Sequence, residues 1–214
     1  MNKRLEKVSE LIDKFDLLAD IGWDHGYLGI MALNKGVKFV QFIDNKIGPL
    51  NQAKKNCQNI DNNMIEFTLA SGITKLNEKV NTICICGMGG ELICDILEEN
   101  LDKAKSLNKI ILQPNRNEPN LRKYLMNNNF IITNEEIVFE NNKYYEIIVC
   151  KYVSDQVLYT EEEILLGPIL LRRKEEIFVN KWNDKLTEYL RIKDVSNDNF
   201  ENDKKIEIVK KILE

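Results

Sequence analysis

The stretch DIGWDHGYLGI, residues 20–30, follows an apolar run and carries glycines at positions 22, 26 and 29. Glycines spaced in this way between a strand and a helix are typical of a nucleotide-binding loop. A dinucleotide loop has its second glycine two residues after the first, but here that position holds Asp24, followed by His25, the single histidine of the chain. The stretch therefore predicts an α/β fold whose ligand tolerates an acid beside the loop backbone.

Apolar runs with β-branched residues alternate with amphipathic segments along the first part of the chain. Their periodicity predicts strands at 15–21, 37–44, 64–70, 80–87 and 108–114, with helices at 25–36, 48–60, 90–100 and 118–129. Two more strands, at 130–140 and 143–153, are joined by Asn141 and Asn142, which suit a hairpin turn because asparagine tolerates a positive φ. The order predicts a parallel sheet with helices on both faces, ending in an antiparallel hairpin.

The composition changes near residue 160, where the chain becomes charged and helical in pattern. Apolar residues form an imperfect helical seam there, at Leu166, Ile169, Leu170, Ile177, Leu186, Tyr189 and Leu190, and again at Ile206, Val209 and Leu213. We expect residues 1–157 to form the α/β domain and residues 158–214 a helical hairpin, packed on itself or on the first domain. Because the seam looks intramolecular, we expect a monomer.

Composition narrows the classes of function. With 43% hydrophobic residues among 214, the chain has enough apolar surface for a packed core. It has no apolar run near the ~20 residues that span a bilayer, and its charged N-terminus does not resemble a secretory signal. The five cysteines include no CxxC pair, so we expect reduced, buried, cytoplasmic thiols and no metal. A net charge of −4 argues mildly against nucleic acid, unless local basic clusters supply the contact.

Ligands of parallel α/β sheets bind beyond the carboxyl ends of the strands, so the residues that follow the predicted strands are the candidates. The acid at the end of the second strand, Asp44, lies 22 residues after Gly22. A carboxylate at this distance from a glycine loop commonly accepts hydrogen bonds from ribose hydroxyls, although aspartate also begins turns. Further candidates follow the other strands, at Asp20, Asn45, Ser71, Gly72, Gly87, Met88, Gly89, Gln113 and Asn115.

The charge of Asp24 favours one ligand over others. A diphosphate within about 4 Å of this carboxylate would be repelled by roughly 4 kcal/mol. S-adenosylmethionine has no phosphate and carries a sulfonium, together with an adenosine that Asp44 could hold. The pair of acids therefore disfavours NAD or FAD and favours the methyl donor. Asp24 could instead cap the following helix, and the two roles are compatible.

The loops after the fourth and fifth predicted strands suit a flat ring. The sequence GMGG, residues 87–90, allows a planar group to approach the backbone, or simply makes a tight turn. In the sequence QPN, Gln113 and Asn115 offer paired donors and acceptors that can hold the Watson–Crick edge of an unstacked purine. An ordinary turn explains QPN equally well.

Basic residues occur in three clusters, which include Lys3 and Arg4 near the N-terminus, Arg116 after QPN, and Arg172 and Arg173 at the start of the predicted long helix. Neutralising a few phosphates would give salt-sensitive RNA binding. Charge runs are more often solvated helix faces. Arg116 is the strongest candidate because it neighbours the proposed base site.

At these residues the sequence resembles the bacterial tRNA (adenine-22-N1)-methyltransferases. The segments LADIGWDHGYLGI, CGMGGELI, ILQPN and NNKYYEIIVC are similar to successive motifs of that family in order and spacing. The N-terminal KRLEKVSELI and the later GPILLRRKEE are also similar, so the resemblance covers nearly the whole chain. It implies a seven-stranded class I methyltransferase domain of Rossmann-like fold, a C-terminal coiled coil, S-adenosylmethionine as cofactor and tRNA as partner.

The resemblance also implies roles for individual residues. Asp20, Gly22 and Asp24 would hold the methionine end of the cofactor, and Asp44 its ribose. The family often has an acid after the third strand that meets the adenine amine, but this chain has Ser71 there. The family loop usually reads Ser-Asp-His, and Trp23 replaces its serine, either to stack on a base or to fill space.

The implied reaction is methyl transfer to N1 of adenine 22. Gln113 and Asn115 would orient the adenine, and Asp24 would favour the positive charge that develops on it. His25 would position the base or shuttle a proton, or would only begin the helix. Two alternatives stay open: a methyltransferase acting on another RNA, a protein or a small molecule, and a non-catalytic binding protein. The Asn-Pro-Pro-aromatic loop of amide methyltransferases is replaced by GMGG, which argues against that class.

Overall fold

The computed structural model describes residues 2–22, 26–195 and 200–214. The chain divides into two compact units, Met1–Leu158 and Tyr159–Glu214. The predicted boundary, between residues 157 and 158, lies one residue before this division.

The first unit is built on one seven-stranded sheet. Its strands are β1 (Leu17–Ile21), β2 (Phe39–Asp44), β3 (Ile65–Leu69), β4 (Thr82–Met88), β5 (Lys109–Pro114), β6 (Phe130–Glu140) and β7 (Lys143–Tyr152). The spatial order is β3-β2-β1-β4-β5-β7-β6, and only β7 pairs antiparallel with its neighbours. The predicted parallel sheet with a terminal hairpin is confirmed.

Helices follow most of the strands of the first unit. They are α1 (Lys3–Glu10), α2 (Tyr27–Asn34), α3 (Ile47–Asn56), α4 (Gly90–Glu98), α5 (Leu101–Lys105) and α6 (Glu118–Asn127). Periodicity did not predict α5, a separate helix that begins where α4 was expected to end. Asn100 causes the break, because its side chain caps α5 by accepting a hydrogen bond from the Lys103 backbone at 3.3 Å.

The turn between β6 and β7 has the predicted form. Asn141 and Asn142 both adopt positive φ angles, 50° and 59°, and Glu140 pairs with Lys143 across the turn. Two successive left-handed residues match the right-handed twist of the flanking strands, so the hairpin closes without splaying.

A buried ion-pair cluster joins the hairpin to α6. The Arg122 guanidinium bonds to Glu135 of β6 at 2.8 Å and to Glu146 of β7, and all three side chains are almost completely buried. Removing one partner of such a cluster typically costs about 3–5 kcal/mol, because a charge is then left buried without compensation. The cluster therefore fixes α6 against the hairpin.

The second unit contains four helices in its described part: α7 (Glu161–Leu166), α8 (Pro168–Arg173), α9 (Glu176–Val195) and α10 (Phe200–Leu213). The prediction that Arg172 and Arg173 begin the long helix is wrong. They end α8, because Lys174 takes a left-handed φ of 43° and interrupts the helix. The helical pattern before residue 174 thus belongs to two short helices.

Helices α9 and α10 pack on each other as the expected hairpin partners. The Asn202 side chain donates to the Tyr189 carbonyl at 2.9 Å, and Ile206 and Val209 are buried. The predicted seam omitted Phe178 and Trp182, which are also buried. Among the residues described, no helix is both long and apolar enough to cross a bilayer.

Candidate active site

The carboxyl ends of β1, β2, β4 and β5 form the edge where the sequence placed its candidates. The order of the chain reverses at β1, which pairs with β2 on one side and with β4 on the other. Such a switch point opens a crevice for a ligand. Trp23, Asp24 and His25 lie outside the described residues, so their predicted roles are taken up only as proposals.

Asp20, near the end of β1, is an acid with unused hydrogen-bonding capacity. Its Oδ2 accepts from the Gly29 backbone N–H at 3.1 Å, while its buried Oδ1 has no hydrogen-bond partner among the described residues. Burial, with a smaller contribution from the charge of Asp44, raises the pKa of Asp20 to about 7. A cationic ligand would therefore find a carboxylate that the described residues leave with one oxygen unsatisfied.

Gly22 ties the ends of three strands together. It adopts a φ of 64°, and its N–H donates to the Ile43 carbonyl of β2 at 2.8 Å. A Cβ at this position would collide with the terminal methyl of Met88, which lies over the glycine from β4. A side chain at position 22 would therefore be strained by the backbone conformation, and it would also require the flexible end of Met88 to move.

Replacing Gly22 with alanine is expected to destabilise the protein by more than the ~1 kcal/mol typical of φ strain alone, because Met88 must also move. Gly36 is the matched control, since it has a φ of 95° and open space around its missing Cβ. Urea unfolding of Gly22→Ala and Gly36→Ala measures the difference. Equal losses of stability would show that the Met88 contact has no energetic role.

Asp44 begins a turn and also lines the crevice. Its Oδ1 accepts from the Lys46 backbone N–H at 2.7 Å, as expected of a turn-forming aspartate. It lines one recess with Asp20, Phe42 and Pro49. The described contacts use one of its two carboxylate oxygens, so a second interaction remains available. The neighbouring Asn45 is exposed.

Ser71 and Gly72 follow β3 and contact Glu99 at the end of α4. The Ser71 hydroxyl donates to Glu99 Oε1 at 2.9 Å, which leaves the lone pairs of Oγ as acceptors. Gly72 takes a φ of 48° and lies close to the Glu99 carboxylate and to Ile96. Ser71 can thus still accept a hydrogen bond.

The GMGG segment differs from its prediction in one respect. Gly87 and Met88 belong to β4 itself, with a register shift relative to β5 at Gly87, where the sequence predicted the strand to end at residue 87. Gly87 has a φ of 75° and open space where its Cβ would be. Gly89 is the N-cap residue of α4. A planar ligand can therefore approach the backbone at Gly87.

The QPN and GMGG segments are bonded to each other. Buried Gln113 accepts from the Gly87 N–H at 3.1 Å, and Asn115 donates through Nδ2 to the Gly87 carbonyl at 2.6 Å. The Asn115 backbone N–H also donates to the Met88 carbonyl at 2.7 Å. The two loops, which are separate in the sequence, are therefore joined into one hydrogen-bonded unit.

Two of the residues predicted to contact phosphates, Arg4 and Arg116, lie close to this unit. The Arg4 Nη1 donates to Asn115 Oδ1 at 3.0 Å, and its guanidinium carbon lies 4.4 Å from the ring centre of Tyr145 in β7. Arg116 is exposed, and a Cβ on Gly89 would lie 3.3 Å from its Nε. Sequence reasoning missed Tyr145, although it lies in the quoted segment NNKYYEIIVC.

The remaining predicted contacts are local. The Lys3 backbone N–H donates to Glu140 at 2.7 Å, next to the hairpin turn. In the second unit, Arg172 Nε donates to the Pro168 carbonyl at 3.0 Å and Arg173 forms an ion pair with Glu175 at 2.6 Å. Within the described parts of the chain, no group of three histidine, cysteine or acidic side chains is placed to hold a metal.

The strand order, the antiparallel β7 and a crevice at the carboxyl ends of β1 and β2 define an enzyme of the class I methyltransferase type. The sequence model of one such family, tRNA (adenine(22)-N(1))-methyltransferase, matches residues 18–214. The chain belongs to this family.

Individual members of the family are similar to this chain over most of their length. The tRNA (adenine(22)-N(1))-methyltransferase of Bacillus subtilis (strain 168) is 32% identical over 193 residues, which cover 87% of this chain and 81% of the relative. A Streptococcus pneumoniae structure in complex with S-adenosyl-L-methionine is 32% identical, with a TM-score of 0.91 over 100% of both chains. The Mycoplasma capricolum TrmK structure, in complex with S-adenosyl-homocysteine, is 25% identical, with a TM-score of 0.86 over 100% of this chain and 97% of that one.

Proposed function

We propose that this chain transfers the methyl group of S-adenosylmethionine to N1 of adenine 22 in tRNA. The observation that carries the proposal is the bonded unit of QPN and GMGG at the ends of β5 and β4. It holds the exposed Asn115 amide, suited to a base edge, near β1, the strand that carries Asp20, whose Oδ1 has no partner among the described residues. The proposed base site and the proposed cation site would then share one edge of the sheet.

The cofactor would be held by the residues that follow β1 to β4. In our proposal Asp20, Gly22 and Asp24 hold its methionine end, and Asp44 and Asn45 its ribose. Ser71 and Gly72 face the adenine ring, while Gly87, Met88 and Gly89 line the opening toward the base. The buried Oδ1 of Asp20 fits the cationic methionine end, because it lacks a partner among the described residues. When bound, S-adenosylmethionine supplies an electrophilic methyl group.

The protein's task at the target base is orientation. N1 of neutral adenine has an in-plane lone pair, so no base is needed to deprotonate it before attack. Asn115 would hold the base outside its pairing, and such alignment contributes up to about 7–11 kcal/mol in well-organised sites. Gln113, predicted from the sequence to share this role, is buried with its amide bonded to Gly87, Pro114 and Asn115, so it would support Asn115 without touching the base. The ring gains positive charge during transfer, which the carboxylate of Asp24 would stabilise. His25 would position the base or take a proton from its exocyclic amine.

The activity can be tested with undermethylated tRNA and labelled S-adenosylmethionine, followed by digestion to nucleosides. We expect the label in 1-methyladenosine. Cofactor binding without any label in RNA would instead indicate another class of substrate. If calorimetry detected no cofactor binding, the chain would be a binding protein without this chemistry.

We propose that Lys3, Arg116, Arg172 and Arg173 contact tRNA phosphates. Arg116→Ala is expected to weaken tRNA binding several-fold and to lower the slope of log K against log salt by about one, as expected for one lost phosphate contact. Lys14→Ala is the control, because Lys14 is an exposed lysine preceding β1, at the opposite edge of the sheet. Filter binding across a salt series measures both. Equal slopes for the two variants would contradict the Arg116 contact.

We also propose that residues 1–157 act as the methyltransferase domain, that residues 158–214 form a helical tRNA-contacting hairpin, and that the protein works as a cytoplasmic monomer. The mutual packing of α9 and α10 supports the monomer, since Phe178, Trp182, Ile206 and Val209 are buried within the chain, although Leu190 of the predicted seam is exposed. Light scattering at micromolar concentration that gave the mass of a dimer would contradict it.

A further inference from the structure

Three distant segments of the chain converge on one amide. Arg4 comes from α1, Asn115 from the end of β5 and Tyr145 from β7, and Arg4 is 111 residues away from Asn115 in sequence. The Arg4 guanidinium stacks over the Tyr145 ring, with 4.4 Å between its central carbon and the ring centre. The stacking limits the directions that the guanidinium can take while it donates to Asn115.

The orientation of the Asn115 carboxamide follows from the chemistry of its partners. A guanidinium has only donors, so the amide atom that faces Arg4, 3.0 Å from Nη1, is the oxygen. The Gly87 carbonyl only accepts, so the amide atom 2.6 Å from it is the nitrogen. Gln113 Nε2 donates to the same amide oxygen at 3.3 Å. Arg4 and Gly87 thus fix the amide from both ends.

The fixed orientation determines what Asn115 can offer a ligand. Arg4 and Gln113 occupy both lone pairs of its oxygen, and Gly87 takes one of its two amide hydrogens. The described residues therefore leave one amide N–H for a ligand. If Arg4 were absent, the oxygen would regain an open lone pair and the amide could rotate. Asn115 would then present a mixture of donor and acceptor to the base.

We propose that Arg4 is a positioning residue of the methyl-transfer site, which orients the Asn115 carboxamide so that its N–H faces the target base. This inference rests on the proposed function. It replaces the phosphate contact that the sequence alone suggested for Arg4. The N-terminal helix α1 then contributes a residue to the active site in addition to packing against the sheet.

A double-variant cycle separates this role from a general structural one. We expect Arg4→Ala to lower kcat by about 10- to 100-fold at saturating tRNA and cofactor, as misoriented active-site groups commonly do. Because Arg4 acts through Asn115, the variant that combines Arg4→Ala with Asn115→Ala should be no slower than Asn115→Ala alone. If the loss of kcat in the double variant were instead the product of the two single-variant losses, the proposal would be overturned.

Two further variants of Arg4 separate hydrogen bonding from packing. Arg4→Met keeps an apolar stem over Tyr145 but has no N–H donors, so its kcat should fall as far as that of Arg4→Ala. Arg4→Lys keeps one donor group and should recover part of the rate. An Arg4→Met variant with the wild-type kcat would overturn the proposal even if Arg4→Ala failed to fold.

The affinity for tRNA distinguishes positioning from phosphate binding. The proposal expects Arg4→Met to bind tRNA with the wild-type Kd and salt slope, as Lys14→Ala does. Weaker, less salt-dependent binding together with a normal kcat would assign Arg4 to a phosphate and overturn the proposal. If the wild-type protein formed no 1-methyladenosine, the proposed function would fail and the Arg4 role with it. If the wild type were active and the cycle additive, only the Arg4 role would fail.

Discussion

Replacing Asn115 with alanine is expected to lower kcat for tRNA methylation by at least about 100-fold, the scale of loss that follows from a misplaced reacting group. The side chain bonds to Gly87 and is held by Arg4 and Gln113, so its removal loosens the unit formed by the loops after β4 and β5. The base would then bind without a fixed orientation. Single-turnover kinetics with saturating cofactor measure the loss.

Asn63→Ala is the control for this experiment, because Asn63 is an exposed asparagine in the turn that precedes β3, at the opposite edge of the sheet. We expect Asn63→Ala to methylate at the wild-type rate, and both variants to bind S-adenosylmethionine with the wild-type Kd. A kcat for Asn115→Ala within a few-fold of wild type would remove Asn115 from the site.

Replacing Asp20 with asparagine is expected to weaken cofactor binding while it stabilises the cofactor-free protein. Burial raises the pKa of Asp20 from 3.8 to about 7, so the folded state holds this proton more tightly than the unfolded state does. Stability is then lost as the pH rises toward 7, by as much as about 4 kcal/mol for a shift of this size. Asparagine removes that cost but leaves a buried N–H, so we expect a net gain of about 1–3 kcal/mol at pH 8.

The affinity for S-adenosylmethionine should depend on pH in the opposite direction to the stability of the cofactor-free protein. A cationic ligand favours ionised Asp20, so wild-type affinity should fall by up to about tenfold per pH unit as the pH drops below 7. The Asp20→Asn variant should bind S-adenosylmethionine weakly, and its affinity should not change with pH in this range. Calorimetry from pH 6 to 8 and thermal melts at pH 8 measure the two effects.

Asp44→Asn is the matched control for Asp20→Asn. Asp44 is only half-buried and already accepts a hydrogen bond from the Lys46 backbone, so its substitution should weaken binding with no gain in stability. A wild-type cofactor affinity in Asp20→Asn at pH 8 would show that this carboxylate does not hold the cationic end of the ligand.

The sequence predicted the sheet because each strand is a separate apolar run. The bounds of all seven strands lie within two residues of their predicted positions. The helices were harder to predict, since their ends depend on single residues. Asn100 divides α4 from α5, and Lys174 divides α8 from α9, through a side-chain cap and a left-handed backbone that periodicity does not report.

The candidate residues were found because they follow strands, but their contacts could not be found in this way. The bonds from Gln113 and Asn115 to Gly87 depend on the pairing of β4 with β5 and on the register shift at Gly87. The contact of Arg4 with Asn115 depends on where the N-terminal helix packs. Only three-dimensional adjacency brings these residues together, since the segments are far apart in the chain.

The most direct test of the account uses two tRNA transcripts that differ only at position 22, one with adenine and one with guanine. Each is incubated with the protein and labelled S-adenosylmethionine, and the modified position is mapped by nucleoside analysis and reverse-transcription stops. We expect 1-methyladenosine at position 22 of the first transcript and no label in the second. Equal labelling of both transcripts, or methylation at another position, would contradict it.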